Sequence, residues 1–363
     1  MKVSFPYMEP VIVYQKVLEL LGHEVIVPPP PTRKTINLGV KYSPEFACIP
    51  LKYVLGTYME AVEMGAETLV TSGGHGPCRA GYYGRVHDKI MEHLGKDVEI
   101  IVFDEPLKDL KKFYRNVKKI KGDKSWLDLM KAVYTAYQLS HAYDRIKRLV
   151  ESKRAYAEDK VNLTLIWDKY RKRFGEIKTI DDIKKVEKEA QQEIEELDIE
   201  YPPEEDRIKI GVIGEIYVVM EDSVNHQIGE LLNDLGAEVE RSQYLSHYID
   251  ATLNPFGGKE EEKILEKGEE YIEIVIGGHA KQNVGHIIDY KERGFDGIVH
   301  LKPFGCLPEL ITQSMLDQIS EDLDIPILSL SIDEQRASAN KKTRVEAFLD
   351  LIKQKKFGRE RMA

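Results

Sequence analysis

Only three of the 363 residues are cysteine and only two are tryptophan, and the chain carries no excess of basic charge. No run of 18 apolar residues occurs, so no transmembrane helix is expected. The opening stretch MKVSFPYMEPVIVYQ has no uninterrupted apolar segment of the signal-peptide kind, because Pro6, Glu9 and Pro10 break it. A cytoplasmic location is therefore expected. A net charge of −10 and a pI near 5.6 argue against nucleic acid as a main partner, since such a footprint needs clustered basic surface. The common chemical signatures are missing too. There is no GxGxxG or GxxxxGK[ST] for phosphates, no GxSxG nucleophile elbow, and no CxxC or HExxH spacing for zinc. Three cysteines in a cytoplasmic chain are not expected to form structural disulfides, and an odd number leaves at least one unpaired.

What is present reads as α/β. The runs KVSFP, EVIVPP, TLVTSGG and VEIIVFD are short, β-rich and bounded by Pro, Gly or Asp. Between them lie helical patterns that end at Gly22, Gly65 and Gly95, the C-cap preference of helices. Such alternation predicts βαβ units and a parallel sheet, here over residues 1–105. Residues 106–203 change character. Apolar and aromatic residues recur three and four apart among Lys and Glu, which predicts a helical subdomain, with Thr179 and Asp182 as a capping box and YPPEED as the linker beyond. Trp126, Tyr134, Tyr137, Trp167 and Tyr170 are expected to pack its core. The α/β pattern resumes over 204–363 in RIKIGVIGE, a helix near 223–235, AEVERSQY, EIVIGGH, GFDGIVHLKPFG and IPILSLSID. Both α/β parts run an apolar segment into Gly-Gly-His, at TLVTSGGHG and EIVIGGHA. We therefore expect two similar domains facing a cleft, with His75 and His279 at the carboxyl ends of strands, where open sheets place ligands.

The cysteines share a setting. Cys48 in FACIPLK and Cys306 in HLKPFGCLPE both sit in Cys-x-Pro, and Cys78 follows Pro77 in GGHGPCRAGYYG. Filler thiols are expected inside apolar runs; these lie on turns beside helices and strands. Read from placement alone, they are either a shared site or incidental thiols. Three converging thiolates would suit an iron–sulfur cubane, and the missing fourth cysteine would leave one iron open to water, hydroxide or a substrate oxygen.

Five stretches together resemble a known family: KVSFPYM, VPPPPTRKTINLGVKYSPEFACIPLK, GGHGPCRAGYYG, GFDGIVHLKPFGCLPE and SIDEQRASANKKTRVEAF. They are similar to the 2-hydroxyacyl-CoA dehydratase D-component-like proteins, in the shorter branch of CoA-enzyme activase-like members. The resemblance implies two Rossmann-like parallel-sheet domains with a helical insert. It also implies a [4Fe-4S] cluster held at the domain interface by Cys48, Cys78 and Cys306. It further implies a separate ATP-hydrolysing iron–sulfur activator of the actin-like ATPase fold as electron donor, an acyl-CoA as substrate, and in some systems a paralogous subunit forming a heterodimer. With only three cysteines, a single cubane is the most this chain can ligate. Around it, His75 and Arg79 beside Cys78, and His300 and Lys302 before Cys306, are candidate hydrogen-bond or proton donors. Glu215 in VIGEIY is a candidate acid or base. The main functional expectation is a reductase or dehydratase component; the alternative is an electron-carrying or ligand-binding module without bond chemistry.

Overall fold

A computed structural model describes residues 1–73, 78–103, 109–253, 259–274, 276–335 and 338–358. The chain divides into two compact units, one of residues 1–139 with 276–278 and one of residues 140–275 with 279–363.

The first unit is built on β1 (Lys2–Ser4), α1 (Val11–Leu20), β2 (Glu24–Val25), α2 (Arg33–Tyr42), α3 (Ile49–Glu63), β3 (Thr68–Ser72), α4 (Tyr83–His93), β4 (Glu99–Phe103), α5 (Leu110–Lys121) and the start of α6 (Trp126–Lys153). Its four strands are all parallel, in the order β2-β1-β3-β4. Each expected β run of residues 1–105 became a strand. Gly22, Gly65 and Gly95 follow α1, α3 and α4 with φ of 85°, 99° and 64°, values that glycine adopts without steric cost. Val3, Phe5, Leu18, Leu21, Ile101 and Ile120 form a core on one side of the sheet. Two features were not anticipated. α2 forms from a basic stretch capped by Thr32, whose hydroxyl accepts from the Lys34 N–H. It then lies against α3 almost backbone to backbone: a Cβ on Gly39 would meet the Lys52 carbonyl oxygen at 1.8 Å, and one on Gly56 the Thr35 oxygen at 1.9 Å.

The second unit continues α6 and adds α7 (Lys160–Gly175), α8 (Ile180–Glu195), β5 (Ile208–Gly214), α9 (Ile216–Met220), α10 (Asp222–Asn225), α11 (Ile228–Asp234), β6 (Ala237–Arg241), α12 (Leu245–Leu253), α13 (Lys259–Gly268), α14 (Ala280–Glu292), β7 (Gly297–Pro303), α15 (Leu307–Asp322), β8 (Ile327–Ile332) and α16 (Ser338–Gly358). Its strands are also all parallel, in the order β6-β5-β7-β8, which repeats the order of the first sheet. β5 and β7 are buried almost throughout, as strands covered on both faces must be. The fold is thus mixed α/β with two Rossmann-like parallel sheets. α8 begins at the expected capping box: the Thr179 hydroxyl accepts from the Asp182 N–H, and Asp182 accepts from the Thr179 N–H.

Three expectations fail. EIVIGGH is not a strand among its described residues; Gly277 and Gly278 have φ of 91° and 58°, and His279 is the N-cap of α14. The Gly-Gly-His repeat therefore does not mark equivalent strands. The helix near 223–235 is interrupted by His226 and Gln227, both left-handed, and becomes α10 and α11. Trp167 and Tyr170 are buried as expected, but Trp126 is 46% and Tyr134 53% exposed. They stack instead at the surface, Trp126 on Tyr114 and Tyr134 on Tyr137.

Candidate functional site

All three cysteines occupy one structural position: Cys48 is the N-cap of α3, Cys306 that of α15, and Cys78 that of the short 3-10 turn Arg79–Tyr82 leading into α4. None uses its side chain to cap the helix it opens. Proline at the second position of α3 and α15 explains the Cys-x-Pro pattern, because a first-turn proline loses no intrahelical hydrogen bond. A helix N-terminus presents unpaired N–H groups and partial positive charge, so each thiol stands where an anion is favoured. Sequence placed these residues on turns; the structure shows which turns, and why the residue there need not be Ser or Asp.

In the first unit the Cys48 and Cys78 segments are tied together. Arg79 Nη1 donates to the Phe46 carbonyl at 3.0 Å, and the Tyr83 hydroxyl lies 2.6 Å from Cys48 Sγ. One turn further along α4, His87 Nε2 lies 3.2 Å from the Leu51 carbonyl of α3. Burial pushes the His87 imidazole down to about 4, so it is neutral near pH 7 and locks α4 to α3 as a hydrogen-bonding ring. His75 lies outside the described residues.

In the second unit, the switch point of the sheet falls between β5 and β7, where the strand order reverses. Glu215 follows β5 directly and caps α9, its carboxyl accepting from the Val218 N–H at 3.2 Å. Burial pushes this carboxyl up to about 7, nearby Glu309 adds to the rise, and the N–H groups of Tyr217 and Val218 oppose it. Cys306 follows β7, and Glu309 lies in the first turn of α15.

Glu309 is the centre of a buried polar network that the sequence did not reveal. Asn283 Nδ2 of α14 donates to both of its oxygens, at 3.0 and 2.9 Å, and His300 Nε2 lies 2.8 Å from Oε2. With the Nε2 proton on His300, its Nδ1 accepts from the Ser329 hydroxyl at 3.0 Å. Asn283 Oδ1 in turn accepts from the Gly214 N–H at 3.1 Å. Asn283, His300 and Glu309 are all fully buried. The network joins β5, α14, β7, β8 and the first turn of α15, so it fixes where Cys306 stands relative to Glu215. His300 is thus a member of this scaffold, with no solvent exposure. Lys302 points elsewhere, donating to Gln313 Oε1 at 2.6 Å. His279 lines the same region; burial lowers its imidazole below the usual range, and its Nδ1 is buried without a hydrogen-bond partner.

Among the described residues no three His, Cys, Asp or Glu side chains form a ready metal site, and no helix is long and apolar enough to cross a membrane. The donor chemistry nonetheless fits an iron–sulfur group: three thiols at helix N-termini, none engaged in capping, with Cys48 and Cys306 buried. No curated protein matches the chain. The model of one protein family, 2-hydroxyglutaryl-CoA dehydratase, D-component, matches residues 26–352. That span takes in all three cysteines, both sheets but for β1 and β2, and the Glu309 network, and the chain accordingly belongs to the 2-hydroxyglutaryl-CoA dehydratase D-component family.

Proposed function

We propose that this chain is the iron–sulfur component of a reductive enzyme system of the 2-hydroxyacyl-CoA dehydratase type, with Cys48, Cys78 and Cys306 as ligands of one [4Fe-4S] cluster. The observation that carries the reading is the common position of the three thiols, each opening a helical segment without capping it, within a chain that belongs to this family. When bound, such a cluster supplies one-electron reduction and a Lewis-acidic iron. Its electron would come from a separate ATP-hydrolysing iron–sulfur activator, and its substrate would be a small molecule of the acyl-CoA class. A paralogous subunit could complete the assembly in the cytoplasm.

This chain's own residues have defined tasks in that scheme. Tyr83 and Arg79 hold the Cys48 and Cys78 segments together. Glu309, Asn283 and His300 set the start of α15. Glu215, with its carboxyl near 7, is the group suited to give or take a proton at the β5–β7 crevice. His75, from its place beside Cys78 in sequence, is a second proton-handling candidate.

The test is anaerobic purification from an iron-replete culture, with iron and sulfide counting and electron paramagnetic resonance of the reduced protein. About four irons per chain are expected for a single cubane, with loss of the signal in Cys306→Ala. Colourless, iron-free protein from that preparation sinks the proposal. A substrate-dependent change in the spectrum separates an enzyme component from a plain electron carrier.

A further inference from the structure

The first three turns of α6 are apolar on both faces. Leu129 and Ala132 pack into the core of the first unit, and Ala136 and Leu139 are buried behind them. The opposite face carries Trp126, Leu127, Met130, Val133, Tyr134 and Tyr137, with Lys131 and Gln138 as its polar members. A helix that is apolar all round is normally buried on every side. Here Leu127 is 61% and Met130 68% exposed. Tyr114 of α5 extends the surface by stacking on Trp126, ring centroids 5.7 Å apart, and Leu110 lies one turn before Tyr114. At about 150–250 Å² per aromatic side chain, Tyr114, Trp126 and Tyr134, each about half exposed, leave roughly 300 Å² uncovered. Leu110, Leu127 and Met130 add a similar area, which brings the patch to roughly 600 Å². That is the upper end for an ordinary monomer, roughly 300–600 Å², and most of the about 800 Å² that one partner contributes to a standard interface.

Spacing and charge say what covers it. Leu127, Met130, Tyr134 and Tyr137 recur at intervals of three, four and three, the seam that receives another helix. Residues 110–131 hold eight Lys and Arg against two Asp, a net charge of +6 in a chain whose total is −10. Lys119 is paired with Glu99. Lys111 and Lys118 are exposed, three and four residues from Tyr114 and so on its side of α5. Lys131 is exposed four residues after Leu127 and three before Tyr134. The apolar stripe is therefore flanked by ammonium groups, and carboxylates complement it. Two other occupants fit less well. A two-fold contact with a second copy would set this basic surface against itself. A bilayer would have to take in Lys131, within the stripe, and Lys121, which lies over the Trp126 ring.

We propose that the outer face of α5 and the first three turns of α6 is a docking surface for an acidic amphipathic helix of a partner protein. The apolar residues of that helix lie along the Leu127–Tyr137 stripe, and its carboxylates meet Lys111, Lys118 and Lys131. The inference is independent of the cluster assigned above.

Trp126 stands in the surface and the only other tryptophan, Trp167, is buried, so emission changes report the patch. The probes are two synthetic amphipathic peptides of about three heptads, with Leu at helical spacing and either Glu or Lys elsewhere. The Glu peptide is expected to shift Trp126 emission to the blue with saturation, less tightly as salt rises, and the Lys peptide to have no effect. Met130→Asp and Lys131→Glu are each expected to weaken binding about tenfold or more, the loss typical of a central contact. Both side chains are exposed, so circular dichroism should match wild type. Val161→Asp, at an equally exposed apolar position of the second unit, should bind as wild type does. Absence of a shift with the Glu peptide, equal binding of both peptides, or binding indifferent to Met130→Asp overturns the proposal. A blue shift on phosphatidylglycerol vesicles that Met130→Asp abolishes reassigns the face to a membrane. A concentration-dependent dimer in sedimentation velocity that Met130→Asp dissolves reassigns it to a second copy. Either result also overturns the proposal.

Discussion

Replacing Glu309 by Gln changes one oxygen for an NH2 group and leaves the side chain nearly the same size. In the native network the two carboxyl oxygens accept three hydrogen bonds, two from Asn283 Nδ2 and one from His300 Nε2. Both donors are fully buried, so neither can turn to water. The amide can accept from only one side, which forces an N–H against an N–H on the other. Leaving one buried donor unsatisfied costs about 1–3 kcal/mol, and hydrogen bonds to charged groups sit at the upper part of that range. We expect Glu309→Gln to destabilise the second unit by about 2 kcal/mol, and Glu309→Ala, which strands both donors, by about 3–5 kcal/mol. Urea unfolding followed by fluorescence measures the loss. Hydrogen exchange at the Gly214 N–H reports the site itself, because that group donates to Asn283 Oδ1 and should exchange faster once Asn283 is released. A Glu309→Gln protein with wild-type stability and unchanged Gly214 protection would refute the view that this network is a satisfied, mutually dependent unit.

Three further outcomes follow from the same geometry. Glu215 has a carboxyl at about 7 in the fold against an ordinary value of 4.5, so the folded state holds a proton that the unfolded state has already released between those values. Stability should therefore fall as pH rises from 4.5 through 7, by about 3 kcal/mol in total, and Glu215→Gln should flatten that slope in unfolding experiments across pH. Gly214 has φ of 144°, and a Cβ there would meet the Leu301 carbonyl oxygen at 2.1 Å. Gly214→Ala should cost more than about 2 kcal/mol, from backbone strain plus the clash; a thermal midpoint equal to wild type contradicts this. Tyr83→Phe removes the hydroxyl against Cys48 Sγ, and Arg79→Ala the tie to the Phe46 carbonyl. Both should leave the fold intact by circular dichroism while reconstituted protein loses iron faster, and equal iron retention argues against their role.

Much of the architecture could be read from sequence because short apolar runs ended at glycine or proline. β1 to β4, β5 to β8 and the capping box at Thr179 all followed from such punctuation. EIVIGGH was misread for a physical reason: a brief apolar run does not by itself distinguish a strand from a packed turn. α2 was missed because its basic, weakly apolar stretch gave no obvious buried stripe. The cysteines stood out through their neighbours, but Glu309 and Asn283 did not. Each sits in a helical stretch where a polar residue reads as surface, and only the packing of other elements against it reveals that it is buried.

The boundary between the compact units falls inside α6, and its C-terminal half carries more than shape. Arg241 at the end of β6 is 4% exposed and is held by Glu151 of α6 at 2.7 Å and Asp222 of α10 at 2.7 Å, while Lys147 of α6 lies 3.2 Å from Asp222. The carboxylates hold the guanidinium firmly in its charged form, and Asp222 is drawn well below the usual carboxylate range by its two cations, against the pull of burial. The helical segment is therefore not a detachable module. Cutting it away to obtain a minimal α/β protein would strip Arg241 of one counter-charge and Asp222 of a cation, leaving buried charge at the edge of the second sheet. A shortened version would have to replace Arg241 and Asp222 together, with apolar residues of similar volume, before it could be expected to fold.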